Sequence, residues 1–332
     1  MSNIITLSAK IRFNIKSAAC AITLCISSQS VLANDFPQRP IKMIVPFGAG
    51  TTTDIVARTV ADAMGKQLNQ ALVVENRAGA GGAIGSSAVA KSTPDGYTLL
   101  MGTSSTHGSN PTLYKNLPYD VMKDFVPVLF VGSTPNLLVV ATSSPLKSLG
   151  DLKAAAAKSP GLTFASAGTG TTGHLAGELL KTKISGSITH VPYKEGAQAV
   201  TDVISGQTNF MFYHPAAVMP HIKAGRLRAL GSSGAETNVA APEVTPIAQQ
   251  GYPDFDLVSW FMVYAPSATP PSVLAKLRSA ATASLKGPDV IERFSVQGIG
   301  VGSLSGEEMV NFNRAELAKW GSLVQKSGAT VD

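Results

Sequence analysis

Apolar runs of strand length alternate with stretches of helical period along most of the chain. Residues 41–46 form a short apolar run with one Lys and predict a buried strand. The turn Phe47-Gly48-Ala49-Gly50 follows. Val56, Val60, Met64 and Leu68 then recur at every fourth position and give one apolar face to a helix opening at Thr51, Thr52 or Thr53. Residues 71–75 predict a second strand, 76–82 a second glycine turn and 83–91 a small-residue helix. A third strand at 97–101 ends in a polar loop over 102–110.

The opening pattern recurs in the second half. Residues 162–165 predict a strand, Ser166-Ala167-Gly168-Thr169-Gly170 a turn, and 171–181 a helix with Leu175, Leu179 and Leu180 on its apolar face. Further strands are predicted at 137–141, 188–191, 210–213, 227–231 and 257–265, with helices at 149–158 and 197–204. The tail is helical over 271–286, 288–296 and 305–326. Its last helix opens on Ser305 and Glu308, a capping box, and stops at Gly328. Trp320 belongs to the apolar stripe of that helix and is expected in the core. Regular strand–helix alternation predicts an α/β protein with largely parallel, helix-covered sheets.

Length and charge narrow the picture. The 332 residues suggest about two domains. Lys10, Arg12 and Lys16 precede the apolar stretch 17–26, and Val31-Leu32-Ala33 fits a small-residue cleavage site. This predicts an exported chain cleaved near Ala33, since the apolar stretch is far shorter than the roughly 20 residues of a bilayer span. Cys20 and Cys25 both fall in that leader, so the mature chain has no thiol for a disulfide, a metal or a nucleophile. The net charge of +6 falls to +3 once the three leader cations are removed, with 24 basic against 21 acidic residues. No basic run points to nucleic acid.

The candidate chemistry lies in the two turns 47–53 and 166–173. A strand feeding a glycine turn and a helix start aims unpaired N–H groups and the positive end of a helix dipole at one point. That is an anion site without a cationic side chain. If each turn belongs to a different lobe, the two helix starts face one another across a cleft. Three or four such donors could supply the roughly 8 kcal/mol of a micromolar site. Glycine turns also begin helices in any α/β protein, and Thr51 with Asp54 is also an ordinary capping arrangement. Enzyme signatures are missing: no Walker lysine, no nucleophile elbow and no complete dinucleotide fingerprint occurs. His107, His174, His190, His214 and His221 lack metal-ligand spacing. His174, in the first turn of its helix, could donate to an anion or pack locally, and Tyr213 and His214 end a strand at the possible cleft.

Many short segments, in order from Phe36 to Asp332, resemble one family. They include Val45-Pro46-Phe47, Asn76-Arg77 with Gly79-Ala80-Gly81-Gly82, Pro94-Asp95-Gly96-Tyr97, Leu117-Pro118-Tyr119-Asp120, His174-Leu175-Ala176-Gly177-Glu178-Leu179, His190-Val191-Pro192-Tyr193 and Lys223-Ala224-Gly225-Arg226-Leu227. The chain thus resembles the periplasmic solute-binding proteins of tripartite tricarboxylate transporters, the Bug-type receptors. The resemblance implies a two-lobed α/β periplasmic binding protein fold, each lobe a mostly parallel sheet covered by helices, with the ligand between them. It implies a leader at 1–33, lobe 1 from 34–135 and 256–332, and lobe 2 from 136–255. It also implies a periplasmic monomer that needs no cofactor or metal, performs no catalysis, binds a small carboxylate and hands it to integral membrane permease subunits. The expected ligand contacts are Phe47, Ala49, Gly50, Thr51, Thr52, Asp54, Ser104, Ser166, Gly168, Thr169, Gly170, Thr171, His174, Tyr213 and His214. Thr51 replaces a glycine usual in the family, and Tyr213-His214-Pro215 replaces smaller or acidic residues. An imidazole there suggests a second acidic group on the ligand. A sensor component for a membrane signalling protein and a non-redox periplasmic enzyme remain as alternatives.

Overall fold

The computed structural model describes residues 36–331, which leaves the leader and its cleavage site outside the described residues. Two sheets organise the chain from Arg39 onward. The first contains β1 (Ile41–Val45), β2 (Leu72–Asn76), β3 (Thr98–Thr103), β4 (Phe125–Pro135), β10 (Val258–Pro266) and β11 (Gly300–Val301), in the order β11-β4-β10-β3-β1-β2. The second contains β5 (Leu137–Ala141), β6 (Leu162–Ser166), β7 (Ile188–Pro192), β8 (Phe210–Tyr213) and β9 (Leu227–Ser232), in the order β7-β6-β8-β5-β9. β1 runs parallel to β2 and β3, and β6 parallel to β7 and β8. The remaining pairs are antiparallel. Each sheet is therefore mixed rather than mostly parallel. The antiparallel strands β4, β5, β9 and β10 flank the points where the chain passes between the sheets, and a chain that crosses and returns must reverse direction.

Only Asn136 separates β4 from β5. At this crossing its N–H donates to the Ser233 hydroxyl at 2.9 Å and its carbonyl accepts from Ser233 N–H at 2.8 Å. Ser233 in turn accepts Leu257 N–H at 2.7 Å and donates its hydroxyl to the Leu257 carbonyl at 2.5 Å. The three connecting passages are thus tied at one serine.

Both faces of the second sheet are covered, as the period of two requires. Leu138, Val140, Phe164, Phe210 and Phe212 face one apolar cluster, while Leu137, Val139, Ala165 and Met211 face another. The covering helices are α3 (Leu149–Ala156), α4 (Thr172–Lys183), α5 (Gly196–Ser205) and α6 (Pro215–Lys223). Around the first sheet lie α1 (Thr52–Leu68), α2 (Ala83–Ala90), α7 (Pro271–Ser284), α8 (Pro288–Val296) and α9 (Gly306–Ser327). The capping box of α9 is formed and Gly328 ends it in the left-handed region. That helix serves both cores. Met309 packs with Trp260 and Tyr264, whereas Trp320 and Val324 pack with Leu175 and Phe164. Glu316, also buried, accepts the indole N–H groups of Trp260 at 2.8 Å and Trp320 at 2.6 Å.

Two stretches differ from the sequence reading. The expected loop at 102–110 is helical: a wide turn over Ser105–Ser109 leads into a short helix, Asn110–Leu113. Its polar side chains are buried and bond inward, Thr106 to the Thr103 backbone and Ser109 to Ser105. No element was predicted where α6 lies, a helix that carries two prolines. Pro215 sits at its first position, where no N–H is needed, and Pro220 is accommodated on an exposed side.

Candidate functional site

The first turn joins β1 to α1. Gly50 has φ +79°, the left-handed conformation that glycine adopts without strain. Thr51 is the N-cap, with φ −70° and ψ 160°. Its hydroxyl donates to the Gly48 carbonyl at 2.8 Å and accepts Asp54 N–H at 3.4 Å. Asp54 reaches back and accepts the Gly50 amide at 2.9 Å. Asn76, at the end of β2, donates to both Asp54 and the Phe47 carbonyl at 2.9 Å. Arg58, one helical turn on, pairs with the same carboxylate at 3.0 Å. Burial alone would raise the Asp54 pKa. The bonds from Arg58, Gly50 and Asn76 outweigh it and hold the group below its ordinary range.

The second turn joins β6 to α4 and repeats this geometry 120 positions later. Gly170 has φ +80°, and the N-cap Thr171 has φ −70° and ψ 159°. The Thr171 hydroxyl donates to the Gly168 carbonyl at 2.7 Å and accepts His174 N–H at 3.4 Å. His174 accepts the Gly170 amide on Nδ1 at 3.1 Å. An imidazole thus takes the part of the Asp54 carboxylate. It stacks on His190 with ring centres 4.0 Å apart, and His190 stacks on Phe164 at 4.8 Å. Burial lowers the His174 pKa to about 4. Burial, with the charges of His174 and Lys181, lowers that of His190 to about 3. Both rings are neutral at pH 7. The Ser166 hydroxyl donates to the Gly168 carbonyl at 3.0 Å and accepts its amide at 3.2 Å, which leaves His190 Nε2, at 2.7 Å, as a donor to Ser166.

The second turn packs on residues 103–113, and the first comes near the same segment around Gly82. Ser109 donates to the Gly170 carbonyl at 2.9 Å, and a Cβ on Gly170 would run into Leu113. Ser104 lies 3.3 Å from the Thr172 hydroxyl, which also accepts from Ser259 at 2.7 Å; all three are buried. On the other side, a Cβ on Gly82 would meet the Thr106 methyl, Pro46 and the Phe47 ring. β1 and β3 are parallel, as are β6 and β8, so the candidate residues after these four strands follow carboxyl ends, where open α/β sheets take ligands.

The structure assigns different parts to the expected contacts. The amides of Gly50 and Gly170 bond within their own turns, as do the hydroxyls of Thr51, Ser166 and Thr171. Asp54 faces the turn backbone, Asn76 and Arg58, and His174 accepts rather than donates at Nδ1. The amides of Thr52, Thr53, Thr172 and Gly173 stand at the first two helical positions with no preceding carbonyl in reach, and with the amides of Ala49 and Thr169 they are left to meet an anion. Gly48, Ala49, Gly50 and Thr51 are exposed, Phe47 and Thr52 half-buried; Thr169 is half-buried and Gly170 buried. Ser104 joins the buried hydroxyl trio. The Tyr213 hydroxyl lies against Gly196, and burial keeps the phenol protonated. His214 caps α6, and its Nδ1 is buried without a partner. Burial holds its pKa near 4, so it is neutral rather than the cation a second acidic group would prefer. The supports that sequence reasoning missed are Arg58, Asn76, Ser109 and Thr172; only the i+4 spacing of Asp54 and Arg58 was visible beforehand. His190 also supports the second turn, through Ser166. A groove of about 590 Å³ between α1 and α8, lined by Ile55, Arg58, Val296 and Gln297 among others, contains no expected contact except through Arg58, the partner of Asp54.

Two mixed sheets with covering helices, joined at crossing passages and carrying paired glycine turns, define a two-lobed periplasmic binding protein. Residues 56–329 match the family described as "Tripartite tricarboxylate transporter family receptor". The chain belongs to that family, whose members are solute receptors and not enzymes. It is 38% identical over 303 residues to Protein BugT of Bordetella pertussis, covering 91% of this chain and 93% of that protein. The solved structure of R. palustris Rpa4515 with adipate is similar with a TM-score of 0.82 and 34% identity, over 90% of this chain and 100% of that one. MatC (Rpa3494) from Rhodopseudomonas palustris with bound malate has a TM-score of 0.76 and 30% identity, over 87% and 100%. Among the described residues no helix is long and apolar enough to cross a membrane.

Proposed function

We propose that the protein is an extracytoplasmic receptor that takes a small organic carboxylate between its lobes and delivers it to a membrane permease. The lobes comprise 34–135 with 256–332, and 136–255. A leader ending near Ala33 directs the chain to the periplasm, where it acts as a monomer. The observation that carries this reading is the repetition of one cap geometry, glycine at φ about +80°, threonine cap and a side-chain acceptor three residues on, at two turns that each follow a parallel strand of their own sheet. The amides of residues 49, 52, 53, 169, 172 and 173 supply the donors, and the two helix dipoles favour an anion. Adipate and malate, bound by two relatives, are both diacids and support a dicarboxylate here. The neutral His214 offers its distal group a hydrogen bond and no charge.

Calorimetry and thermal shift with adipate, malate, benzoate and nicotinate test the reading. A diacid at 100-fold its Kd is expected to stabilise the fold by about 2.7 kcal/mol. Absence of a shift with every acid rejects the function. Tighter binding of the monoacids, unchanged in His214→Ala, rejects the diacid.

A further inference from the structure

The first turn is held by a carboxylate with a cationic partner; the second is held by two stacked imidazoles. We propose that His174 and His190 are positioning residues of the second turn, and that carboxylate affinity depends on both rings staying neutral. The inference rests on the anion-binding reading of the turns given above.

The geometry supplies two separate holds. His174 Nδ1 fixes the Gly170 amide at 3.1 Å, so its ring proton sits on Nε2. His190 Nε2 fixes the Ser166 hydroxyl at 2.7 Å, and Ser166 fixes both backbone groups of Gly168. Stacking at 4.0 Å makes the two holds one unit, since neither ring can rotate without displacing the other. The counterpart positions show why charge matters. Asp54 has Arg58 four residues on, whereas His174 has Glu178, itself paired with Lys181 at 3.2 Å. Lys181 acts on both rings, and His174 acts on His190. Against them β6 places Phe164, behind which β8 places Phe210, and α9 adds Trp320 and Val324 to the same core; none of these carries charge.

The direction with pH follows. A folded-state pKa below the ordinary 6.5 means that the unfolded chain takes up protons first. The stabilisation is full above about 6.5 and is lost as pH falls toward about 4 for His174. A proton on His174 Nδ1 removes the acceptor of the Gly170 amide, and the turn loosens.

The test compares wild type, His174→Ala and His174→Asn, the last keeping a neutral acceptor that does not titrate. Without ligand, nitrogen NMR of wild type is expected to show His174 Nδ1 unprotonated at pH 7. Exchange of the Gly170 amide should rise about tenfold in the alanine variant and stay within about threefold in the asparagine variant. With adipate and malate as probes, the alanine variant should bind about tenfold more weakly. From pH 7 to pH 4 wild type should lose about twofold more affinity than the asparagine variant, the titration of the acid itself being common to both. A protonated Nδ1 at pH 7, unchanged Gly170 exchange in the alanine variant, or a wild-type affinity that rises on acidification relative to the asparagine variant overturns the proposal. The last result would mean that the imidazole pairs with the ligand directly. If neither acid binds wild type, the receptor reading loses its support while tautomer and exchange still decide the positioning role. If the alanine variant fails to fold, the wild-type tautomer and the asparagine comparison decide it.

Discussion

The two glycine turns share a backbone and little else. Corresponding hydrogen bonds agree within 0.2 Å and the cap angles within a degree, yet the first turn is exposed and ionic while the second is half-buried and aromatic. What the geometry requires is an acceptor three residues after the cap, and either a carboxylate or a neutral imidazole supplies it. The environment then selects which. Asp54 lies beside Arg58 and Asn76, which offset its burial. His174 lies under Phe164 and His190, where a lone carboxylate would lack a counter-ion.

Substituting the paired glycines breaks the likeness most sharply. Gly170→Ala combines strain at φ +80° with a collision on Leu113 and is expected to cost about 2–4 kcal/mol in denaturant unfolding. Gly50→Ala meets nothing within 4 Å and should cost only the strain, about 1 kcal/mol. Equal losses would mean that the second turn is no tighter than the first. Next, Asp54→Ala strips the Gly50 amide, Asn76 and Arg58 of their common acceptor and should cost about 1–3 kcal/mol. Asp54→Asn, which keeps an acceptor, should cost less by the same measurement. The smallest effect sharpens the likeness: Thr51→Ala and Thr171→Ala should each cost about 1 kcal/mol, with melting temperatures falling by similar amounts, because the two caps are superposable.

Much of this was visible in the sequence. Apolar period gave the strands at 41–45 and 162–166 and the helices after them, and Gly-x-Gly-Thr occurs at both turns. Residues 102–110 misled because Ser104, Thr106, His107 and Ser109 look like a surface loop, although their partners are backbone and hydroxyl groups already inside the fold. Sheet direction was hidden because it depends on where a crossing chain returns, which no local pattern records. At the site, the capping residues were legible and their supports were not. Asn76, His190 and Ser109 lie 22, 24 and 61 positions from the residues they hold, so only the tertiary structure introduces them. The Gly50 and Gly170 amides bond to Asp54 and His174, a pairing that no local pattern announced at the second turn.

The knot at Ser233 bears on how such a molecule can open. Three strands of chain pass there, gathered by one hydroxyl and its neighbouring peptide groups. The strand ladders end on either side, at Pro135 and Leu137 on one passage and Ser232 and Val258 on the others. A swing of one half against the other would have to turn at these few peptide bonds, and it would also have to reckon with α9, whose Met309 sits in one core and whose Trp320 and Val324 sit in the other.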